Sequence, residues 1–188
     1  DQVRVKGTSP SDGTRRAAGY FAGNGFITLA PDFLGFGGSD AADADTLKSR
    51  FETYITSINL ISSVSSLDGA DSSRVFLWGH SNGGQIALTV LEITGKFLPT
   101  VLWAPVSKPF PFSILFYSDE ASDSGKALRR VVAGFDKDYD AELYSLTSYL
   151  DWIKAPVQID QGTGDDIVLP RWSRDLVKGL KALNKEAV

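Results

Sequence analysis

Two hydrophobic periods alternate along the chain. Residues 25–30 (GFITLA) form a short apolar, β-rich run closed by Pro31, which reads as a buried strand entering the loop PDFLGFGGSD. From Thr46 the period changes. Leu47, Phe51, Tyr54, Ile55, Ile58 and Ile61 recur at three- and four-residue spacing, the stripe of an amphipathic helix. Asp43 and Asp45 stand near its start, where carboxylates meet the positive end of the helix dipole. Asp68-Gly69 is a turn, and residues 74–78 (RVFLW) are a second buried strand. Residues 83–93 are helical in pattern, and 100–104 (TVLWA) and 157–160 (VQID) are further strands. Pro170, then Trp172, Leu176, Leu180 and Leu183, marks a last helix with proline in its first turn.

Strands alternating with helices predict an α/β fold of βαβ units, with a mostly parallel sheet and helices on both faces. The length suits one domain over residues 1–188. One stretch breaks the alternation. Between Pro105 and Pro156 lie about fifty residues, more than one crossover helix requires. Two helices are expected there, over residues 125–135 and 140–150. Residues 107–150 as a whole are expected to form a small helical cap over the C-terminal edge of the sheet, where open α/β sheets bind substrates.

Composition narrows the chemistry. Apolar residues make up 43% and charged residues 22%, the balance of a folded globular chain. A net charge of −4 gives no electrostatic reason to bind nucleic acid or an anionic membrane. No apolar run reaches the roughly 18 residues of a membrane span, so no transmembrane segment is expected. The absence of cysteine removes disulfides, zinc–thiolate sites and thiol catalysis. Methionine is also absent and histidine occurs once, at His80, which leads to the expectation that the sequence is a fragment.

Gly79-His80-Ser81-Asn82-Gly83 matches G-x-S-x-G, and it lies between a predicted strand and a predicted helix. A nucleophilic serine there must sit on a sharp, strained turn so that its hydroxyl projects above the sheet. Glycines two residues to either side let the neighbouring backbone pass, and Gly84 lets helix and strand pack closely. Ser81 is therefore the expected nucleophile. The backbone N–H of Asn82, at the new helix's start, is an expected oxyanion donor. His80 is not expected to be the base, because a residue adjacent to Ser81 cannot easily reach its hydroxyl while a carboxylate orients the ring's far nitrogen. The acid of an α/β-hydrolase follows the serine in chain order, ahead of the histidine. Asp165-Asp166, after VQID and before Pro170, occupies that place.

The segments YFAGNGFITLAPDFLGFGGSD, GHSNGGQIAL and APVQIDQGTGDDIVLPRWSRDLVKGLK resemble the catalytic domain of the prolyl oligopeptidase family of serine peptidases. They are similar, less closely, to dienelactone-hydrolase-type esterases. The resemblance covers nearly the whole chain and implies an α/β-hydrolase fold. The family's D-x-x-V pattern falls on Asp165-Asp166-Ile167-Val168, which makes Asp165 the implied acid and Asp166 the runner-up. In that family the histidine follows after one more helix and strand, whereas here the chain closes with that helix. The resemblance thus implies a triad histidine outside these 188 residues. It also implies a second oxyanion contribution from a loop upstream of GFITLA, and DQVRVKGTSPSDGTRR carries no such motif. Relative to the family, the fold is expected to be incomplete at both ends.

Other constellations carry no chemistry. Asp136-Lys137-Asp138-Tyr139-Asp140 resembles the opening of a calcium loop, but Ala141 and Thr147 stand where glycine and a bidentate glutamate are required. A solvated helix start is the expectation. Gly35-Phe36-Gly37-Gly38-Ser39-Asp40 fails the dinucleotide pattern at Asp40 and reads as a loop. Trp103, Trp152 and Trp172 are expected in the core. The expected activity is hydrolysis of a small peptide or ester substrate through an acyl-enzyme, with no metal or organic cofactor. A prolyl-oligopeptidase-like peptidase is favoured, with a carboxylester hydrolase or a non-catalytic hydrolase-fold binding protein as alternatives.

Overall fold

A computed structural model describes residues 15–188. They fall into two compact units divided between Arg74 and Val75. The upstream oxyanion loop and the opening segment of the chain lie outside the described residues.

The first unit holds α1 (Arg15–Gly23) and α2 (Thr46–Ser63). The α2 stripe buries Leu47 and Tyr54, and Asp45 caps the helix by accepting from the N–H groups of Leu47 and Lys48 (2.9 and 3.0 Å). Asp43 accepts from the Asp45 N–H and pairs with Lys48. α1 was not marked by the hydrophobic pattern. The expected strand over 25–30 does not form, and Phe26, Ile27 and Leu29 are 49%, 54% and 43% exposed. A strand is defined by its ladder, and no described residue of this unit supplies a partner strand.

The second unit is built on three parallel strands in the order β1 (Leu77–His80), β2 (Thr100–Trp103) and β3 (Val157–Asp160). Leu77, Thr100 and Val157 stand level, as do His80, Trp103 and Asp160. β1 begins three residues later than the apolar run 74–78 and carries through to His80. Between β1 and β2 runs α3 (Asn82–Thr94), which buries eight of its thirteen residues and ends on Gly95 in the left-handed conformation (φ 55°). After β3 comes α6 (Pro170–Ala182), with proline in its first turn and Trp172, Ser173, Leu176 and Leu180 buried.

The chain does not close with α6. Residues 186–188 turn back alongside β3. Val157 N–H donates to the Glu186 carbonyl (3.0 Å), Ile159 N–H to Val188 (2.8 Å), and Val188 N–H to Val157 (3.2 Å). These are the bonds of a fourth parallel strand beginning. Three residues are too few to show as a run in sequence, so this strand was missed.

Between β2 and β3 lie α4 (Phe112–Leu115) and α5 (Lys126–Asp138). Asp123 starts α5 by accepting from Gly125 and Ala127 N–H groups (2.9 and 2.7 Å). Asp136 and Asp138 fall at its end rather than at a helix start. The helix expected over 140–150 is instead three short 3₁₀ turns, Ala141–Tyr144, Leu146–Ser148 and Leu150–Trp152. Local side chains compete for the backbone there. Asp140 accepts from Glu142 N–H, and the Ser145 hydroxyl contacts that of Thr147 and accepts from Phe110 N–H. Trp172 is core as expected, packed with Ala104, Val106 and Val168, whereas Trp103 and Trp152 are 51% and 52% exposed. Among the described residues, no helix is long and apolar enough to cross a membrane.

Candidate functional site

β1 passes into α3 through one residue, Ser81, whose backbone lies at φ 54°, ψ −118°. Residues with a side chain rarely adopt that conformation, and it is kept only where the surroundings enforce it. Here they do. Ser81 N–H donates to the Trp103 carbonyl (3.0 Å). Its own carbonyl accepts from Gly84, Gln85 and Val106 N–H groups (3.0, 3.3 and 3.1 Å). The flanking glycines are not equivalent. A Cβ on Gly79 would stand 2.5 Å from the Gly83 carbonyl oxygen, and one on Gly84 would stand 2.7 Å from Pro105. A Cβ on Gly83 would meet nothing within 4 Å. The backbone of the helix's first turn excludes a side chain at Gly79, with Gly83 supplying the carbonyl that does the crowding, and Pro105, after β2, excludes one at Gly84. Asn82 opens α3, so its N–H belongs to the helix's first turn beside Ser81.

Asp165 lies in the loop from β3 to α6, half-buried. Its Oδ1 accepts from the N–H groups of Ile167 (3.0 Å) and Val168 (2.9 Å), and its Oδ2 accepts from Gln161 Nε2 (3.1 Å). Gln161 Nε2 also donates to the Val168 carbonyl (3.1 Å), and Gln161 Oε1 accepts from the Ser173 hydroxyl (2.7 Å). Tyr117 reaches the same loop from beyond α4, donating to the Ile167 carbonyl at 3.2 Å. Burial, helped by the charges of Asp165 and Glu120, pushes its phenol up to about 12. Asp166 is exposed and does not cap α6, whose N-cap residue is Leu169.

Because His80, Trp103 and Asp160 are in register, Ser81 and the Asp165 loop both leave the C-terminal edge of the sheet, with β2 between them. Two strand spacings separate β1 from β3, roughly 10 Å. No hydrogen bond joins Ser81 to Asp165. His80 stands on the exposed side of β1 beside Trp78, ring centroids 6.5 Å apart, and hydrogen-bonds to neither Ser81 nor Asp165. Burial lowers its pKa from the ordinary histidine value, against an opposing pull from Asp165. Among the described residues no three or more His, Cys, Asp or Glu side chains gather as a metal site.

Sequence reasoning missed Gln161, Ser173 and Tyr117. Ser173 did leave a trace, since it falls on the buried face of α6 with Trp172, Leu176 and Leu180. A hydroxyl in such a stripe must find a partner. An open groove of about 580 Å³ runs between β3 and α6, lined among others by Ile159, Gln161, Ser173 and Val177. It reaches Gln161 and Ser173, which hold the Asp165 loop, but not Ser81.

The fold agrees with known proteins. The family model described as serine aminopeptidase, S33 (Hydrolase_4) matches residues 8–135, a span that takes in the elbow and stops short of Asp165. The chain resembles the crystal structure of Porphyromonas gingivalis dipeptidyl peptidase 4, with 17% identity and TM-score 0.57 over 74% of this chain and 19% of that one. It resembles Pyrococcus horikoshii acylaminoacyl peptidase, with 21% identity and TM-score 0.56 over 73% and 22%. It also resembles Paleococcus ferrophilus monoacylglycerol lipase, with 17% identity and TM-score 0.58 over 96% and 79%. The chain thus spans about a fifth of the length of those two peptidases. No curated protein matches it. Such likenesses establish the α/β-hydrolase fold, and with about two thirds of its residues matched by the family model, the chain belongs to the serine aminopeptidase S33 family of α/β-hydrolases.

Proposed function

We propose that this chain carries the nucleophile and the acid of a serine hydrolase that cleaves peptide or ester bonds through an acyl-enzyme. The observation that carries the reading is the backbone of Ser81, held at φ 54° in a strand-to-helix turn where Gly79 has no room for a side chain. Strain of that kind needs a reason, and an elbow that lifts a hydroxyl clear of the sheet supplies one.

In this reading a histidine from outside the 188 residues sits between Ser81 and Asp165. It takes the Ser81 proton as Oγ attacks the substrate carbonyl, and the Asn82 N–H donates to the oxyanion. Collapse of the tetrahedral intermediate expels the amine or alcohol, which leaves with the proton from the imidazolium. Water, deprotonated by the same histidine, then hydrolyses the acyl-Ser81 ester. Asp165 fixes the ring's tautomer and supports its positive charge. The strand started by residues 186–188 runs beside β3 toward the edge where Asp165 lies, which suits a following segment that delivers this histidine.

Peptidase activity of prolyl-oligopeptidase type is the favoured form, on the D-x-x-V pattern of the Asp165 loop, while the serine aminopeptidase family model supports a peptidase without specifying that type. Carboxylester hydrolysis is a second reading, favoured by the match to a monoacylglycerol lipase over 96% of this chain and 79% of that one. Residues 107–150 are proposed as the cap that chooses between them. The test is fluorophosphonate labelling of the full-length protein with turnover of an aminoacyl p-nitroanilide and p-nitrophenyl butyrate. Labelling and turnover that vanish in Ser81→Ala are expected. Labelling that persists in that variant puts the nucleophile elsewhere, and none in the wild type leaves a non-catalytic binding protein; either result overturns the proposal.

A further inference from the structure

The Asp165 carboxylate is held unevenly. Oδ1 already accepts two backbone N–H groups, from Ile167 and Val168, which fills its two lone-pair directions. Oδ2 accepts one donor, Gln161 Nε2, and keeps one direction open. Gln161 in turn has little freedom. Its Nε2 also donates to the Val168 carbonyl (3.1 Å), in the same loop, and to that of Gly162 (3.3 Å), and its Oε1 is held at 2.7 Å by the hydroxyl of Ser173, itself only 4% exposed. A flipped amide would set Gln161 Oε1 against both Asp165 Oδ2 and the Val168 carbonyl, so these two acceptors fix which end of the amide faces the acid, and the Ser173 hydroxyl, donating to Oε1, anchors the other end.

We infer that Gln161 and Ser173 form a positioning pair for Asp165, setting the plane of its carboxylate so that the open direction of Oδ2 receives the N–H of the triad histidine. The inference rests on the reading of Asp165 as the acid. A chain of hydrogen bonds then runs from α6 through Ser173 and Gln161 to the carboxylate. Rigidity of the packed helix is passed in this way to the second oxygen of the carboxylate. Gln161 touches neither substrate nor reacting atoms and acts through Asp165 alone.

Full-length protein and p-nitrophenyl butyrate supply the test. Gln161→Met keeps the side chain's bulk and removes its donors. It is expected to lower kcat about tenfold or more, with KM within about twofold, since what is lost is orientation in the transition state. Ser173→Ala, which leaves Gln161 in place, should give a smaller loss of kcat. Joined to Gln161→Met it should add nothing further, because both act through one bond. Gln161→Glu places a negative charge beside the histidine's partner, favours the imidazolium, and should move the acid limb of the kcat/KM profile to higher pH. A purely structural role would move melting temperature without moving that limb.

Two failures are separable. If Asp165→Asn keeps its kcat, the acid is misassigned and the underlying reading falls. If Asp165→Asn and Ser81→Ala lose activity while Gln161→Met and Ser173→Ala retain kcat, or Gln161→Glu leaves the acid limb in place, the positioning role is refuted alone.

Discussion

Glu92 offers the most demanding test of the second unit's energetics. It sits in the last turn of α3, is 4% exposed, and its Oε1 is buried with no hydrogen-bond partner among the described residues. Burial raises its pKa from 4.5 to about 9, with Asp151 adding in the same direction. The helix C-terminus, negative in its own right, gives a carboxylate no help there. Glu92 is thus a neutral acid in the folded protein and an ionised one in the unfolded chain across the neutral range. Its stabilising contribution is fully present below the unfolded pKa of 4.5 and is lost as pH rises toward 9. The slope is about 1.4 kcal/mol per pH unit. From pH 5.5 to pH 8.0 the loss comes to about 3 kcal/mol, provided the acid stays neutral in the fold up to pH 8.

Glu92→Gln removes the ionisation and keeps the shape. Its extra amide donors carry a cost of about 1–3 kcal/mol if unsatisfied, but that cost is the same at both pH values and cancels in the comparison. Relative to wild type, Glu92→Gln should therefore gain about 3 kcal/mol of stability between pH 5.5 and pH 8.0. Urea denaturation followed by tryptophan fluorescence reads this directly, because all four tryptophans, at 78, 103, 152 and 172, lie in the unit that holds α3. A difference between variant and wild type that is flat across that pH range would mean Glu92 is ionised in the fold, and the reasoning fails.

Three further outcomes are expected. Gly84→Ala should destabilise by about 1–3 kcal/mol in thermal melts, because its Cβ lands 2.7 Å from Pro105 in a packed crossing. Gly83→Ala, with open space around its Cβ in the first turn of α3, should change stability by less than about 1 kcal/mol, and equal costs at the two positions would contradict the crossing geometry. Tyr117→Phe should cost about 0.5–1.5 kcal/mol through loss of the bond to the Ile167 carbonyl, and an unchanged denaturation midpoint would show that bond to be idle.

What could be read in the sequence was whatever a local pattern forces. β3 and α3 were legible because a short apolar run or a 3.6-residue period has few other solutions, and Asp45 because a cap is local. The elbow was legible for the same reason, its strain being confined to one residue between two recognisable elements. Legibility failed where the outcome depends on a distant partner. The run 25–30 has a strand's composition, yet a ladder needs a neighbour that composition cannot reveal. Residues 186–188 show the reverse, pairing with β3 on three residues that no period could mark. The same division explains the site. Ser81 and Asp165 stand in motifs, but the support of Asp165 comes from Gln161, held in turn by Ser173 on the buried face of α6, and no motif marks either. The motif even misstates its own physics. G-x-S-x-G presents Gly79 and Gly83 as equals, whereas the structure excludes a side chain at the first and leaves space at the second. Spacing records which positions the chemistry needs, and only packing tells which of them lack room for a Cβ.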